Sequence, residues 1–397
     1  MIFNRLFSSV RRVHMLVSAL FFMCAVNTHT SIPSKVPQVH NLGDHLELWN
    51  LLSQSSQNFA PILVIGSGVA GLSAAIQTSL EKQHTVVIRG TSPGGQLLGA
   101  AYVENMPGTA PDKGYKIIES LEARAQEVGV QFLDGAVERI ECIKNLAQID
   151  GVAPQIVSSA PLFKITLSEK RVIYALTVII ATGATPRYLN VTGEEQYKNK
   201  GVYTCAVCDG RRAIKKRVVV VGGGDSSIEE VMHLAAHTDQ ITLLVRKDQM
   251  RAATSRQAKL AQYPQVTTLY NSEVLEICGD GQNLTGVRIR DTHTNAETVL
   301  PADCVFLAIG HTPHSAPFSS LVECDELGHI KLLGRSQATS CLGIFALGDV
   351  ADPVYRKAES AQGDACKAAL DVTRYLQNAG FGYQTLTTFE SFFIRAS

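Results

Sequence analysis

Short, unbroken apolar runs that end at glycine set the hydropathy pattern of this chain. Ile62-Leu63-Val64-Ile65 leads straight into Gly66, and a continuous run of this kind reads as a strand buried on both faces. Behind it, Val69 to about Leu80 has helical spacing with Ala74, Ala75 and Ile76 on its packed side. Thr85–Ile88 supplies the next strand, so a βαβ unit is predicted. Leu176–Ile180 repeats the buried-strand pattern and ends in Ala181-Thr182-Gly183. A second βαβ unit opens at Arg217-Val218-Val219-Val220-Val221, continues as a helix from Ser226 to about Ala236 and closes with Ile241–Val245. Val305–Ile309 and Gly343–Asp349 read as further strands. A last helix runs from about Ala361 to Leu376, with Ala365, Ala368, Ala369, Val372 and Leu376 at helical spacing.

The two turns between first strand and helix are both glycine-rich. Gly66-Ser67-Gly68-Val69-Ala70-Gly71 fits a pyrophosphate site. Gly66 permits the tight turn, Gly68 lets backbone approach the phosphates, and Gly71 lets helix and strand pack closely, with the helix N-terminus aimed at the anion. The acid that binds ribose in a generic NAD site is missing, because Ile88-Arg89-Gly90 stands at the end of the second strand. The other turn is Gly222-Gly223-Gly224-Asp225-Ser226-Ser227, with Ser227 in place of the third glycine. About twenty residues on, the chain reads Val245-Arg246-Lys247-Asp248, with Arg251 nearby, and such cations suit the 2′-phosphate of NADP. The other reading of that cluster is a solvated basic loop. The fold class is therefore α/β, two Rossmann-like dinucleotide-binding domains, one inserted into the other. Residues 60–186 and 304–380 form the split domain and 187–303 the insert.

The chain has 397 residues, enough for two or three cores, and a formal net charge of zero, so nothing favours nucleic acid or an anionic membrane as partner. No basic run, acidic tail or low-complexity repeat stands out. Residues 1–59 are different. No acid precedes Asp44, and Arg5, Arg11 and Arg12 come before an apolar run from Met15 to Val26. A signal or anchor, an organellar transit peptide and an inert extension all fit, and membrane contact is expected only through this segment. The tail, 381–397, has no cysteine.

Of nine cysteines only Cys205 and Cys208 are closely spaced, in Cys205-Ala206-Val207-Cys208-Asp209-Gly210 between the two glycine loops. The pair admits three readings: half of a zinc site, a structural disulfide, or a redox-active dithiol. No second CxxC or close Cys/His pair is visible, so no metal is expected. Asp209 is placed either to manage a proton during thiol exchange or to cap a turn.

Together these motifs resemble the low-molecular-weight thioredoxin reductases. The resemblance also rests on Gly94-Gly95-Gln96-Leu97, Glu104-Asn105-Met106-Pro107-Gly108, Ala181-Thr182-Gly183-Ala184, Ala308-Ile309-Gly310-His311-Thr312-Pro313, Gly348-Asp349-Val350 and Arg356-Lys357-Ala358, and covers about residues 60 to 380. It implies FAD in the split domain, with Gly66, Ser67, Gly68, Ala70 and Gly71 at the pyrophosphate and Gly95, Gln96 and Asn105 lining the cofactor. Asp349 would meet the ribityl chain, and Arg356, Lys357 and Ala358 would approach the flavin. Lys357 stands where the family has Gln. NADPH would lie on Gly222, Gly224, Asp225, Ser226, Arg246, Lys247 and Arg251, with Lys247 replacing a familiar Arg and Val245 a familiar His. NADPH preference is expected to survive these changes in weaker form.

The implied reaction passes electrons from NADPH to FAD, then to the Cys205–Cys208 disulfide, then to thioredoxin. Cys208 would be the flavin-proximal sulfur, Cys205 the one that attacks the partner, and Asp209 the acid/base. The family turns one domain on the other, with hinge candidates here near Arg187 and Asp303. By the same analogy a homodimer is expected, in a cytoplasm-like compartment that contains NADPH, or else an organelle or exported site if the N-terminal run directs it there. The alternatives are a related flavin disulfide reductase serving another thioredoxin-like or peroxiredoxin partner, and a non-catalytic flavin redox sensor.

Overall fold

A computed structural model describes residues 58–100, 102–106, 109–143, 161–379 and 381. Residues 1–57, with the N-terminal apolar run, Pro107, Gly108 and almost all of the tail lie outside the described residues. The first sheet has seven strands. Gln131–Leu133, Thr85–Ile88, Asn58–Ile65, Val172–Ile180, Leu162–Leu167 and Val137–Ile143 follow one another across it. Ile344–Ala346 shares an edge of Val172–Ile180 with Leu162–Leu167: it takes Val178 to Ile180 in parallel, while Leu162–Leu167 pairs antiparallel nearer the start. Asn58–Ile65 is hence central, parallel to a neighbour on each side, and Ala60 and Ile62 to Val64 are fully buried there.

The helix Val69–Leu80 packs on this sheet through small residues. Leu72, Ala74 and Ala75 are fully buried, in one apolar cluster with Ala365, Ala368, Val372 and Leu376 of the 21-residue helix Ala358–Asn378. Alanines at both contacts bring the helices close, so the start of each helix is held over the carboxyl ends of the central strands.

The second sheet is five parallel strands in the order Val266–Leu269, Ile241–Leu244, Val218–Val221, Cys304–Leu307, Val202–Tyr203. An antiparallel three-stranded layer, Ser272–Gly279, Leu284–Asp291 and Glu297–Pro301, covers one side of it. This pairing corrects the boundary drawn from sequence at Asp303/Cys304. Cys304 to Leu307 register with Val218 to Val221, so that strand belongs to the inserted unit. Asp303 is no hinge either, because its carboxylate is clamped by the backbone N–H and guanidinium of Arg217 at 2.6–3.0 Å. The chain crosses between units on a two-stranded ribbon, Ala184–Pro186 against His311–Pro313, where the Arg187 N–H donates to Gly310 O at 2.9 Å. Among the described residues no helix is long and apolar enough to cross a membrane.

Candidate functional site

The first glycine loop is built as the sequence requires. Gly66 sits at φ +115°, and a Cβ there would lie 2.3 Å from Ala181 O. One on Gly71 would lie 1.9 Å from Gly66 O. Ser67 is buried and stitches three segments together: its hydroxyl donates to Arg89 O at 3.1 Å and accepts from Gly94 N–H at 3.2 Å. That draws Gly95 against Gly68, where a Cβ on Gly95 would meet Gly68 Cα at 3.2 Å. From the same turn the Gln96 amide donates to Ala184 O and, at 3.3 Å, to Asp349 Oδ2. Ala70 meets Gly348, so the first loop, the Gly94–Gln96 turn and Gly348-Asp349 converge. Asn105 is exposed, and no described contact joins it to this group. Arg89, standing where an NAD site has its acid, is paired with Glu122 and, at 3.3 Å, with Asp134.

These residues fit FAD. The Asp349 carboxyl is pushed up to about 6 by burial and by the neighbouring Asp352 charge, with Arg356, Lys357 and the Gln96 bond opposing. A half-buried carboxyl with a single side-chain donor, Gln96, is matched by a hydroxylated ligand chain. The bare backbone at Gly68, whose added Cβ would meet nothing closer than 3.8 Å, leaves room for a phosphate to approach.

The second loop is built on the same lines. A Cβ on Gly222 would lie 2.4 Å from Ala308 O, and the fully buried Ser227 turns its hydroxyl back onto Gly224 O at 2.6 Å. Ser227 thus serves where a third glycine was expected. The N–H groups of Arg251 and Ala252 both donate to Gly223 O, at 2.7 and 3.1 Å, which brings Arg251 to the loop. Arg246, Lys247 and Arg251 are exposed with no carboxylate partner among the described residues. Asp225 has a structural task, accepting from Ala253 N–H at 2.8 Å at the start of the Thr254–Leu260 helix. Ser226 is half-buried on the first turn of the Asp225–Leu234 helix.

Cys205 and Cys208 are joined in a disulfide, the state that two of the three sequence readings require. Cys205 caps the short helix Ala206–Asp209 and accepts from Cys208 N–H at 3.1 Å. Asp209, next in the chain after Cys208, accepts from Arg212 Nε at 3.1 Å, and burial pushes its carboxyl up while Arg212 opposes.

Three features were missed by sequence reasoning. The Glu230 carboxylate accepts the Ala206 N–H and is pushed up to about 7, chiefly by burial, against that bond and the Lys357 and Arg356 charges. Lys357 Nζ lies 3.5 Å from Cys205 Sγ and 4.0 Å from Cys208 Sγ, although lysine and sulfurs belong to different units. Arg211 pairs with Glu104 at 2.6 Å, also across units. These partners are 24 to 152 residues apart, beyond any periodicity. The one local signal was the acid Glu230 on a helix whose Ile228, Val231 and Leu234 are all fully buried. The site is therefore a disulfide of one nucleotide-type unit, presented to the other.

A parallel-sheet pair of this kind, with a disulfide between its glycine loops, defines a class: residues 60–365 match the family described as Pyridine nucleotide-disulphide oxidoreductase, and the chain belongs to it. Within that class its relatives include thioredoxin reductases. It is 36% identical over 318 residues to the thioredoxin reductase of Rickettsia typhi, spanning 79% of this chain and 97% of that one. It is 36% identical over 327 residues to thioredoxin reductase 1 of Saccharomyces cerevisiae, with the same coverage of 79% and 97%. The solved thioredoxin reductase from Giardia duodenalis superposes with a TM-score of 0.72 at 35% identity, covering 81% of this chain and all (100%) of that one. That from Streptococcus pyogenes gives 0.71 at 31%, covering 81% and 99%.

Proposed function

We propose that this chain is an NADPH-dependent thioredoxin reductase that uses FAD and the Cys205–Cys208 disulfide as its relay. The observation that carries the reading is the disulfide itself: the second unit holds it, between two glycine loops in the sequence, and it lies against Lys357 of the first unit.

FAD, on the residues around Gly66 to Gly71, Gly95, Gln96 and Asp349, would supply two-electron chemistry between nicotinamide and disulfide. The protein's own residues do the rest. Gly66, Gly68 and Gly71 clear space for phosphate oxygens at the start of the Val69–Leu80 helix. Arg246, Lys247 and Arg251 hold the 2′-phosphate of NADPH. Asp209, raised by burial, is protonated over a wider pH range than an exposed Asp and donates the proton a leaving thiolate needs. Cys205 attacks the partner disulfide and Cys208 resolves it. In the arrangement described here the pair faces the first unit, so a protein disulfide requires a turn about the ribbon of Ala184–Pro186 and His311–Pro313.

The test is turnover of NADPH by the purified full-length protein with oxidised thioredoxin, alongside Cys205→Ser. The reading predicts thioredoxin-dependent NADPH oxidation that Cys205→Ser abolishes while the yellow flavin spectrum is retained. No thioredoxin-dependent turnover, with flavin bound, would overturn that reading and leave two others in its place, a reductase serving another thioredoxin-like or peroxiredoxin partner and a redox sensor. Comparable kcat/KM with NADPH and NADH would remove the role given to the basic cluster.

A further inference from the structure

Lys357 enters the redox centre from the first unit. Its backbone is fixed at the start of the Ala358–Asn378 helix: its N–H donates to Ser360 Oγ at 3.3 Å, and that hydroxyl donates back to Lys357 O at 2.9 Å. From this anchored point the half-buried side chain carries its ammonium to both sulfurs, 3.5 Å from Cys205 and 4.0 Å from Cys208. A disulfide sulfur is a weak, neutral acceptor and repays little of the cost of holding an ammonium there. A thiolate carries a full charge, and at this separation the attraction is strong in a partly desolvated cleft. The geometry therefore suits the reduced pair better than the oxidised one.

We propose that Lys357 is a catalytic residue whose ammonium holds the thiolate formed when the Cys205–Cys208 bond is reduced. Two electrons from a dithiol reductant, which is itself oxidised to a disulfide and releases two protons, break the S–S bond and leave two thiolates. One takes one of those protons and becomes a thiol, the second proton going to solvent; the other remains a thiolate opposite the ammonium, which keeps its own proton. The groups facing the pair act in both directions. Glu230, bonded to the Ala206 N–H, and Asp209, next in the chain after Cys208, oppose a thiolate when ionised, and Arg212 offsets Asp209. Glu104 is neutralised by Arg211. Arg356 adds to Lys357 in the field at Glu230. His237 and His233 pack against Gly210, and burial, His237 and Lys357 all press His233 toward its neutral form. Of these groups Lys357 is the cation in contact with the sulfurs.

The inference rests on the pair being reducible, not on its partner, and its test needs neither NADPH nor thioredoxin. The full-length protein is reduced with dithiothreitol, freed of reductant under nitrogen, and alkylated with iodoacetamide across the pH range in which thiols titrate. Rates at Cys205 and Cys208 are resolved by peptide mass spectrometry. Lys357→Gln is expected to raise the thiol midpoint by about one unit, so that alkylation at neutral pH slows about tenfold. Lys357→Arg, which restores the cation, is expected to stay within about threefold of wild type at the same pH. Lys357→Met keeps the stem without the charge and decides the matter if Lys357→Gln fails to fold. Wild-type profiles in the uncharged variants would overturn the proposal. So would Lys357→Arg slowing as much as Lys357→Gln, since the effect would then be one of packing. Either result leaves the reductase reading standing, whereas that reading fails on thioredoxin turnover alone.

Discussion

Glu230 shows how a single half-buried carboxyl links the redox centre to the stability of its domain. Its carboxyl is raised from an ordinary 4.5 to about 7, mainly because burial penalises the ionised form. A folded-state value above the unfolded one means that folding favours the protonated group. The stabilisation is full below pH 4.5 and is lost as pH rises through about 7. The amount at stake is on the order of 3 kcal/mol, from about 1.4 kcal/mol per unit. Glu230→Gln keeps an oxygen for the Ala206 N–H but cannot ionise. Relative to wild type its stability should therefore rise between about pH 5 and about pH 8, read as the difference in urea midpoints across pH. A constant difference across that range would mean that Glu230 does not titrate there.

At the scale of the elements, the glycines of the first loop separate fold from binding. Gly71→Ala places a Cβ 1.9 Å from Gly66 O, a backbone atom that cannot swing aside. A cost of about 3 kcal/mol and loss of visible flavin absorbance are expected together, measured by melting temperature and spectrum. Gly68→Ala meets nothing nearer than Gly95 Cα at 3.8 Å, so stability should change by no more than about 0.5 kcal/mol while flavin affinity falls. Equal destabilisation by both variants would show that Gly68 is structural.

The parallel core was legible in the sequence for the same local reason. Strands buried on both faces appear as unbroken runs such as Val218–Val221, and the helix Val69–Leu80 fell within its predicted bounds. The helix Gly114–Glu127 and the antiparallel layer from Ser272 to Pro301 were not read. Their half-exposed faces dilute the pattern, as in Glu297–Pro301, where no residue is buried. The run Val305–Ile309 predicts a strand in the split domain, whereas the strand lies at Cys304–Leu307 in the inserted unit, because a buried run does not say which sheet receives it. In the site, the loops and the CxxC were visible as motifs. Glu230, Lys357 at the sulfurs and the Arg211–Glu104 pair depend on tertiary placement alone.

For the whole molecule, the ion pair between units at the redox centre is exposed enough to be broken. Arg211 and Glu104 are 76% and 47% exposed, and a surface pair of this kind contributes at most about 1 kcal/mol. Such a bond biases the two arrangements by about fivefold and does not lock either, which suits a pair that must face a cofactor and then a protein. The central claim is that flavin and disulfide are successive stations for electrons from NADPH. Anaerobic titration of the full-length protein with NADPH, followed by flavin absorbance and by free thiols, tests it most directly. Each station is a two-electron couple, so full reduction should consume about two equivalents of NADPH per chain and yield two new thiols, falling to about one equivalent in a Cys205→Ser, Cys208→Ser variant. Flavin bleaching complete at about one equivalent in the wild-type chain, with no new thiols, would contradict the account.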